Sequence, residues 1–243
     1  MDSPLSCYCS KCHELYSSPS SHSPHLLHII SLPPSLLSKF IFISLIGQGT
    51  YGTVFKVRER SNEISIENSM EPSAERSINH SNKKGKHHEY ALKLLSFIEQ
   101  DENPEFFIMK QLYHKNIIKS FKTIRNLDEG YEAIVTELCE TDLDSLIKNK
   151  TLSDDTIFKF ATEIVSGVNY LHNEIKPPII HRDLKTANIL IKENTIKITD
   201  FGIARLKKTN MAENWSMTKE VGGTPNYMPP EMLRGIDKND GKI

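Results

Sequence analysis

The sequence predicts an α+β fold, β-rich in its first half and helical in its second, on three observations. An apolar run over 40–46 leads into Gly47-Gln48-Gly49-Thr50-Tyr51-Gly52 and then into Thr53-Val54-Phe55-Lys56-Val57-Arg58, which reads as strand, glycine loop, strand. A third strand-like segment covers 90–95. After Ser153, apolar Ile157, Phe160, Ala161, Ile164, Val165, Val168 and Leu171 recur at spacings of three and four, the mark of one buried helix face.

Composition sets the limits. The 243 residues include 30 basic and 31 acidic side chains, so 30 − 31 gives a net charge of −1. That excludes an electrostatic nucleic-acid binder, which needs a basic excess. Apolar residues make up 38%, below the globular share of about 45–50%, so part of the chain is expected to stand outside a core. Two stretches account for the deficit. Residues 1–39, rich in serine and proline, read as a disordered tail, because such residues bury too little apolar area to offset chain entropy. Residues 60–89, polar and ending near Lys83-Lys84-Gly85-Lys86-His87-His88, read as an insert between two strands that loops of about 2–5 residues usually join. Its basic run is a solvated loop or a localisation or docking signal.

No membrane anchor is expected. Pro33-Pro34 and Lys39 break the apolar stretch over 26–46, where a span needs about 20 uninterrupted apolar residues. The start also lacks the form of a signal peptide, and no arginine precedes Arg58. Three of the four cysteines crowd at 7, 9 and 12, which is no disulfide framework. The expected compartment is the cytoplasm, with the nucleus as its alternative. Cys9-x-x-Cys12-His13 matches a haem-attachment pattern and offers zinc ligands, but no second ligand pair follows at zinc-finger distance, so these read as unstructured thiols.

Each element then carries its own chemistry. Glycines at 47, 49 and 52 let backbone N–H groups approach a phosphate, and the strand after them disfavours a dinucleotide site, which wants a helix there. Tyr90-Ala91-Leu92-Lys93 places one lysine in an apolar strand, either snorkelling at an edge or paired with phosphates and held by a carboxylate. Asn103-Pro104-Glu105 reads as a helix start, with Phe106, Met109, Leu112 and Tyr113 following at helical spacing and Glu105 placed to face Lys93. Ser153 is the N-cap of the amphipathic helix, with Asp154 and Asp155 favoured in its first turn by the helix dipole.

The decisive stretch is His181-Arg182-Asp183-Leu184-Lys185-Thr186-Ala187-Asn188, followed by a β-rich segment and Asp200-Phe201-Gly202. Phosphoryl transfer needs a carboxylate for the hydroxyl proton, metal ligands and cations, and Asp183, Asn188, Asp200, Lys185 and Lys93 supply them. Over about 40–233 the sequence resembles the eukaryotic protein kinases, with a β-rich N-lobe over 40–138 and a partial, helical C-lobe over 139–243.

The resemblance implies ATP and Mg2+ as cofactors and a protein as substrate. It places Ile46, Gly47, Gly49 and Gly52 over ATP, and makes Lys93 and Glu105 the ion pair of the active state. Val54, Ala91 and Leu190 would sandwich adenine, with Thr136 as gatekeeper, Glu137 and Cys139 at the adenine edge and Asp142 near the ribose. Asp183 would be the base, Lys185 the γ-phosphate contact and Thr224 a partner of Asp183. Asn188 and Asp200 would hold the metal. Lys185 with Gly223-Thr224-Pro225 resembles the serine/threonine class, and Arg182 implies an upstream activating kinase acting at Thr209, Ser216 or Thr218. Glu220 stands either as an exposed loop acid or as a partial substitute for that phosphate.

Three departures accompany the resemblance. Pro229 replaces an alanine, Ser120 falls at a usually apolar spine position, and the chain ends soon after Glu231, before the helices a kinase C-lobe continues into. The alternative is therefore a truncated nucleotide-binding or scaffold module.

Overall fold

The computed structural model describes residues 7–9, 14–16, 29–49, 52–60, 88–95, 103–206, 223–228 and 230. Contacts divide the chain into two compact units, Met1–Asp101 with Ser120–Leu138, and Glu102–Lys119 with Cys139–Ile243.

The first unit is built on a five-stranded antiparallel sheet in the order β4-β5-β6-β8-β7. The strands are β4 (Phe40–Gly49), β5 (Gly52–Glu59), β6 (Glu89–Leu95), β7 (Ser120–Asn126) and β8 (Tyr131–Glu137). Period-two alternation gives the sheet two different faces. One carries Phe42, Phe55, Val57, Tyr90, Leu92, Ala133 and Val135, all in a single buried cluster. Ring pairs tighten it, Phe42 against Phe55 at 5.2 Å and Tyr90 against Phe121 at 5.4 Å, both edge to face. Glu89, expected in the insert, belongs to β6, where Lys56 and Arg58 of β5 pair with it at 2.6 and 3.1 Å.

The expected disordered tail is corrected on two counts. Strands β1 (Cys7–Cys9), β2 (Glu14–Tyr16) and β3 (Ile29–Ser31) form a small antiparallel sheet, with β1 in the middle. Helix α1 (Pro34–Lys39) then packs on the core face of the larger sheet, with Leu32 and Leu36 both 0% exposed. Pro34 suits the first turn, and Ser35 ties the helix to the β7–β8 hairpin. Its backbone N–H donates to Glu129 Oε2 at 3.2 Å, and its hydroxyl lies 3.0 Å from that oxygen and 2.6 Å from Tyr131 Oη. Two leucines in a serine- and proline-rich context are too few to register as periodicity, yet they fill a hole in the core. Residues 61–87 of the insert, and Cys12 and His13, lie outside the described residues.

The second unit takes in the segment 102–119, which falls within the expected first lobe over 40–138. Its backbone explains the change: Ile118 N–H donates to Ile198 O and Ile198 N–H to Asn116 O, each at 2.9 Å. Helix α2 (Pro104–Met109) starts at the expected Asn103 cap, whose side chain accepts the Glu105 N–H at 3.0 Å. It is shorter than expected, leaving Leu112 and Tyr113 beyond it, because the Tyr113 N–H goes to Tyr170 Oη at 2.9 Å instead of a helical carbonyl.

Helices α3 (Leu143–Asn149) and α4 (Asp154–Asn169) follow, with a three-stranded sheet of β12 (Thr195–Ile198), β11 (Ile189–Lys192) and β9 (Thr141–Asp142). Ser153 caps α4 as expected, accepting the Thr156 N–H. The predicted apolar face is only partly buried, which corrects the reading of all seven residues as core. Phe160 and Leu171 are buried, whereas Ile157 and Val165 are 52% and 66% exposed. α4 turns Gly167 toward β12, so closely that a Cβ there would lie 2.7 Å from Ile198 Cδ1. That orientation leaves Ile157 and Val165 uncovered among the described residues. No helix among the described residues is long and apolar enough to cross a membrane.

Candidate active site

In the first unit, the sheet face opposite the core collects the residues expected around a nucleotide. Val54 pairs with Lys93, and Ala91 with Thr136, directly across adjacent strands. Cross-strand partners point to the same side, so Val54, Lys93, Ala91, Ile134 and Thr136 share that face. Gly47 pairs with Val54, and Ile46 sits at a bulge in β4, half exposed.

The three glycines differ in what they require. A Cβ on Gly49 would meet nothing within 4 Å, but one on Gly52, at φ +151°, would lie 2.4 Å from the Leu94 carbonyl oxygen. Gly52 therefore lets the chain turn against β6, and Gly49 leaves room above the loop for a ligand. Ser120 pairs with Thr136 and is 6% exposed, and its hydroxyl has no hydrogen-bond partner among the described residues. Such an orphan costs about 1–3 kcal/mol. Glu137 is also buried.

The second unit holds the residues expected in a catalytic loop. β10 (Ile179–Ile180) leads into His181 and pairs with β13 (Arg205–Leu206), which follows Asp200-Phe201-Gly202, so the two motifs are tied by one ladder. Arg182 and Asp200 both take positive φ, 69° and 65°, which aims their neighbours into the loop. The His181 ring stacks obliquely on Phe201 at 4.9 Å. Its Nδ1 accepts the Asp183 N–H at 3.3 Å, so Nε2 carries the proton and donates to Thr199 O at 2.9 Å.

Burial holds the pKa of His181 below its ordinary value of 6.5. The unfolded chain therefore takes up a proton at this side chain as pH falls through about 6.5, and the folded chain does so only at lower pH. The stability contributed by neutral His181 is present above that value and is lost as pH falls below it. Urea unfolding at several pH values should show a slope below about pH 6.5 that is shallower in His181→Gln, and equal slopes would refute the assignment.

Asp183 is the hub. Its Oδ1 accepts the Thr224 N–H at 3.0 Å and the Thr224 hydroxyl at 2.8 Å, and its Oδ2 accepts Lys185 Nζ at 2.8 Å and Asn188 Nδ2 at 3.0 Å. Lys185 Nζ also donates to Thr224 Oγ1 at 2.7 Å. Burial works to raise the pKa of Asp183, but the hydrogen bonds from Lys185, Thr224 and Asn188 outweigh it and hold the carboxyl below its usual range. Four donors occupy about four lone-pair positions, so an incoming hydroxyl reaches Asp183 only by replacing one of them. Gly223, at φ +129°, lets the segment approach this hub, since a Cβ there would lie 3.2 Å from Arg182 O.

The other expected residues fall as follows. Glu105 is 3% exposed in the first turn of α2. Leu190 pairs with Asp142 across β11 and β9, and Cys139 is half-buried and not part of a disulfide. Asp142 caps α3, accepting the Ser145 N–H at 2.8 Å and the Ser145 hydroxyl at 2.6 Å. Asn188 spends its amide nitrogen on Asp183, which leaves its side-chain oxygen for a cation, and the backbone N–H of Thr199, next to Asp200, donates to the Asn188 backbone carbonyl at 3.0 Å. Two hard oxygen donors suit Mg2+, which keeps water and phosphate for its other positions. Thr209, Ser216, Thr218, Glu220, Pro229 and Glu231 lie outside the described residues. Sequence reasoning missed the link from Thr186 to Asp144 and Tyr227, because those partners lie about 40 positions away.

Comparison with known proteins agrees with this arrangement. The family described as protein kinase domain matches residues 40–242. Dual specificity protein kinase shkD of Dictyostelium discoideum is 31% identical over 86% of this chain and 25% of its own length. Serine/threonine-protein kinase CTR1 of Arabidopsis thaliana is 32% identical over 80% and 21%. Serine/threonine-protein kinase tousled-like 2 of Homo sapiens is 31% identical over 82% and 25%. The chain thus spans about a quarter of the length of these relatives. With glycine loop, lysine strand and catalytic loop all inside the matched region, the chain belongs to the protein kinase domain family.

Proposed function

We propose that the chain is an ATP-dependent protein serine/threonine kinase, moving the γ-phosphate of ATP to a serine or threonine hydroxyl of a protein. The observation that carries this reading is the convergence of Lys185, Thr224 and Asn188 on Asp183. In the proposed reaction Lys185 turns from Asp183 toward the γ-phosphate, which frees a lone pair on Oδ2 for the acceptor hydroxyl. The hydroxyl oxygen then forms its bond to phosphorus as the bond to the bridging oxygen of ADP breaks, and its proton passes to Asp183. Mg2+, held by Asn188 and Asp200, would neutralise charge on the phosphates.

Lys93 would hold the α- and β-phosphates while Glu105 holds Lys93. Gly47, Gly49 and Gly52 would cover the phosphates, with Ile46, Val54, Ala91 and Leu190 against adenine, Thr136 behind it, Glu137 and Cys139 at its edge and Asp142 at the ribose. Relatives named for serine/threonine and for dual specificity both match, and Lys185 with Gly223-Thr224-Pro225 favours the former.

The test is transfer of radiolabelled γ-phosphate to myelin basic protein, comparing the full chain with Asp200→Ala. Label transferred by the wild type and lost in the variant supports the reading. Mg-ATP stabilisation of the wild type without Asp200-dependent transfer favours the nucleotide-binding module instead.

A further inference from the structure

Three residues next to the catalytic hub form a directed hydrogen-bond chain with no part in the chemistry above. Thr186 follows Lys185 and donates its hydroxyl proton to Asp144 Oδ1 at 3.1 Å. The Tyr227 oxygen lies 3.3 Å from Thr186 Oγ1. Thr186 has one proton, already given to a carboxylate that can only accept, so Tyr227 is the donor and Thr186 the acceptor. Lys148 closes the chain from the far side at 2.6 Å from Asp144 Oδ2. The direction is therefore Tyr227 to Thr186 to Asp144, ending on an ion pair, and each link polarises the next.

What the chain holds is the segment that carries Thr224. Pro225–Tyr227 form a tight helical turn, closed by Tyr227 N–H to Thr224 O at 2.9 Å and Met228 N–H to Pro225 O at 3.2 Å. Its first end is fastened to Asp183 through Thr224 and its second to the catalytic loop through Tyr227. The Tyr227 ring is itself half exposed. With both ends pinned to the loop that bears Asp183, the turn is a fixed rail beside the carboxylate.

We propose that Thr186 is a positioning residue for the protein acceptor, acting through Tyr227 and Asp144 to hold the 224–228 turn at a set distance from Asp183. This rests on the kinase reading for its role, though the hydrogen-bond chain itself does not depend on that reading. Within this chain of hydrogen bonds Thr186 both accepts and donates, so its hydroxyl links the turn to α3. Valine keeps the shape and removes that hydroxyl, and serine keeps the hydroxyl.

Two measurements on the full chain test it. In steady-state transfer to myelin basic protein, Thr186→Val should raise the acceptor KM about 3- to 10-fold, leave the ATP KM within about twofold, and be rescued by Thr186→Ser. Tyr227→Phe should give a similar shift, and the double variant should be no worse than Thr186→Val, since both break the Tyr227–Thr186 link. Independently of turnover, amide exchange at Tyr227 and Met228 should quicken by about 3- to 10-fold in Thr186→Val and return in Thr186→Ser. Unchanged exchange, failure of serine to rescue, additive variants, or an equal rise in both KM values would each overturn the proposal. A wild type that transfers no phosphate but shows the exchange effect overturns the kinase reading and the acceptor role together, leaving the coupling as a structural tie.

Discussion

Asp183→Asn should lower kcat for phosphate transfer by about 10²- to 10⁴-fold, with the ATP KM nearly unchanged. The substitution is almost isosteric, so the expected loss is electronic. An amide cannot take the hydroxyl proton, and its neutral oxygen holds the Lys185 ammonium, now 2.8 Å from Oδ2, less strongly than a carboxylate does. One face of the new side chain would also present N–H groups to a donor such as Thr224 or Asn188, which leaves a mismatched contact costing about 1–3 kcal/mol. Thermal unfolding of the variant measures that local cost separately from the kinetic loss. A kcat within tenfold of wild type, in a folded variant, would show that the carboxylate is not the proton acceptor.

Leu36→Ala should destabilise the chain by about 2–5 kcal/mol, and Leu32→Ala by a comparable amount. Both side chains are completely buried against Phe40, Phe55 and their neighbours, so truncation removes transfer free energy and leaves a cavity. The two sites share one cluster, so the double variant should fall short of the sum. Urea unfolding of the full-length chain is the measurement. An unordered tail would give changes within about 0.5 kcal/mol, and that result would remove α1 from the core.

The legible parts of the structure are those in which chemistry is local. Asn103 and Ser153 cap the helices they were expected to cap, because a cap is set by one side chain and an N–H two or three residues on. β5 follows its alternation, with Phe55 and Val57 buried, and Lys93 in the apolar β6 emerges on the face shared with Val54 and Thr136 because cross-strand partners point the same way. Gly52 and Gly223 belong to motifs legible in the sequence, and the structure supplies the reasons: a Cβ on Gly52 would collide with the Leu94 carbonyl oxygen, and Gly223 takes a positive φ with Met228 and Arg182 O close by.

What failed to read were the places where distant residues decide. The α2 helix stops at Met109 because Tyr170, more than fifty positions away, claims the N–H of Tyr113. The stretch 102–119 joins the second unit because Asn116 and Ile118 pair with Ile198. The apolar stripe of α4 is periodic, but periodicity records a face and says nothing of what packs against it, and Ile157 and Val165 remain exposed.

The sequence by itself determined the family and the α+β class, and it nominated the groups proposed for phosphate chemistry, since each requires a particular side chain at a short, fixed spacing. Only the tertiary structure decided that Leu32 and Leu36 complete the first core. It likewise decided that Asp183 is saturated by four donors and that Thr186 links Asp144 to Tyr227. Such contacts join residues dozens of positions apart, and their energy comes from burial and hydrogen bonding that exist only once the chain has closed on itself.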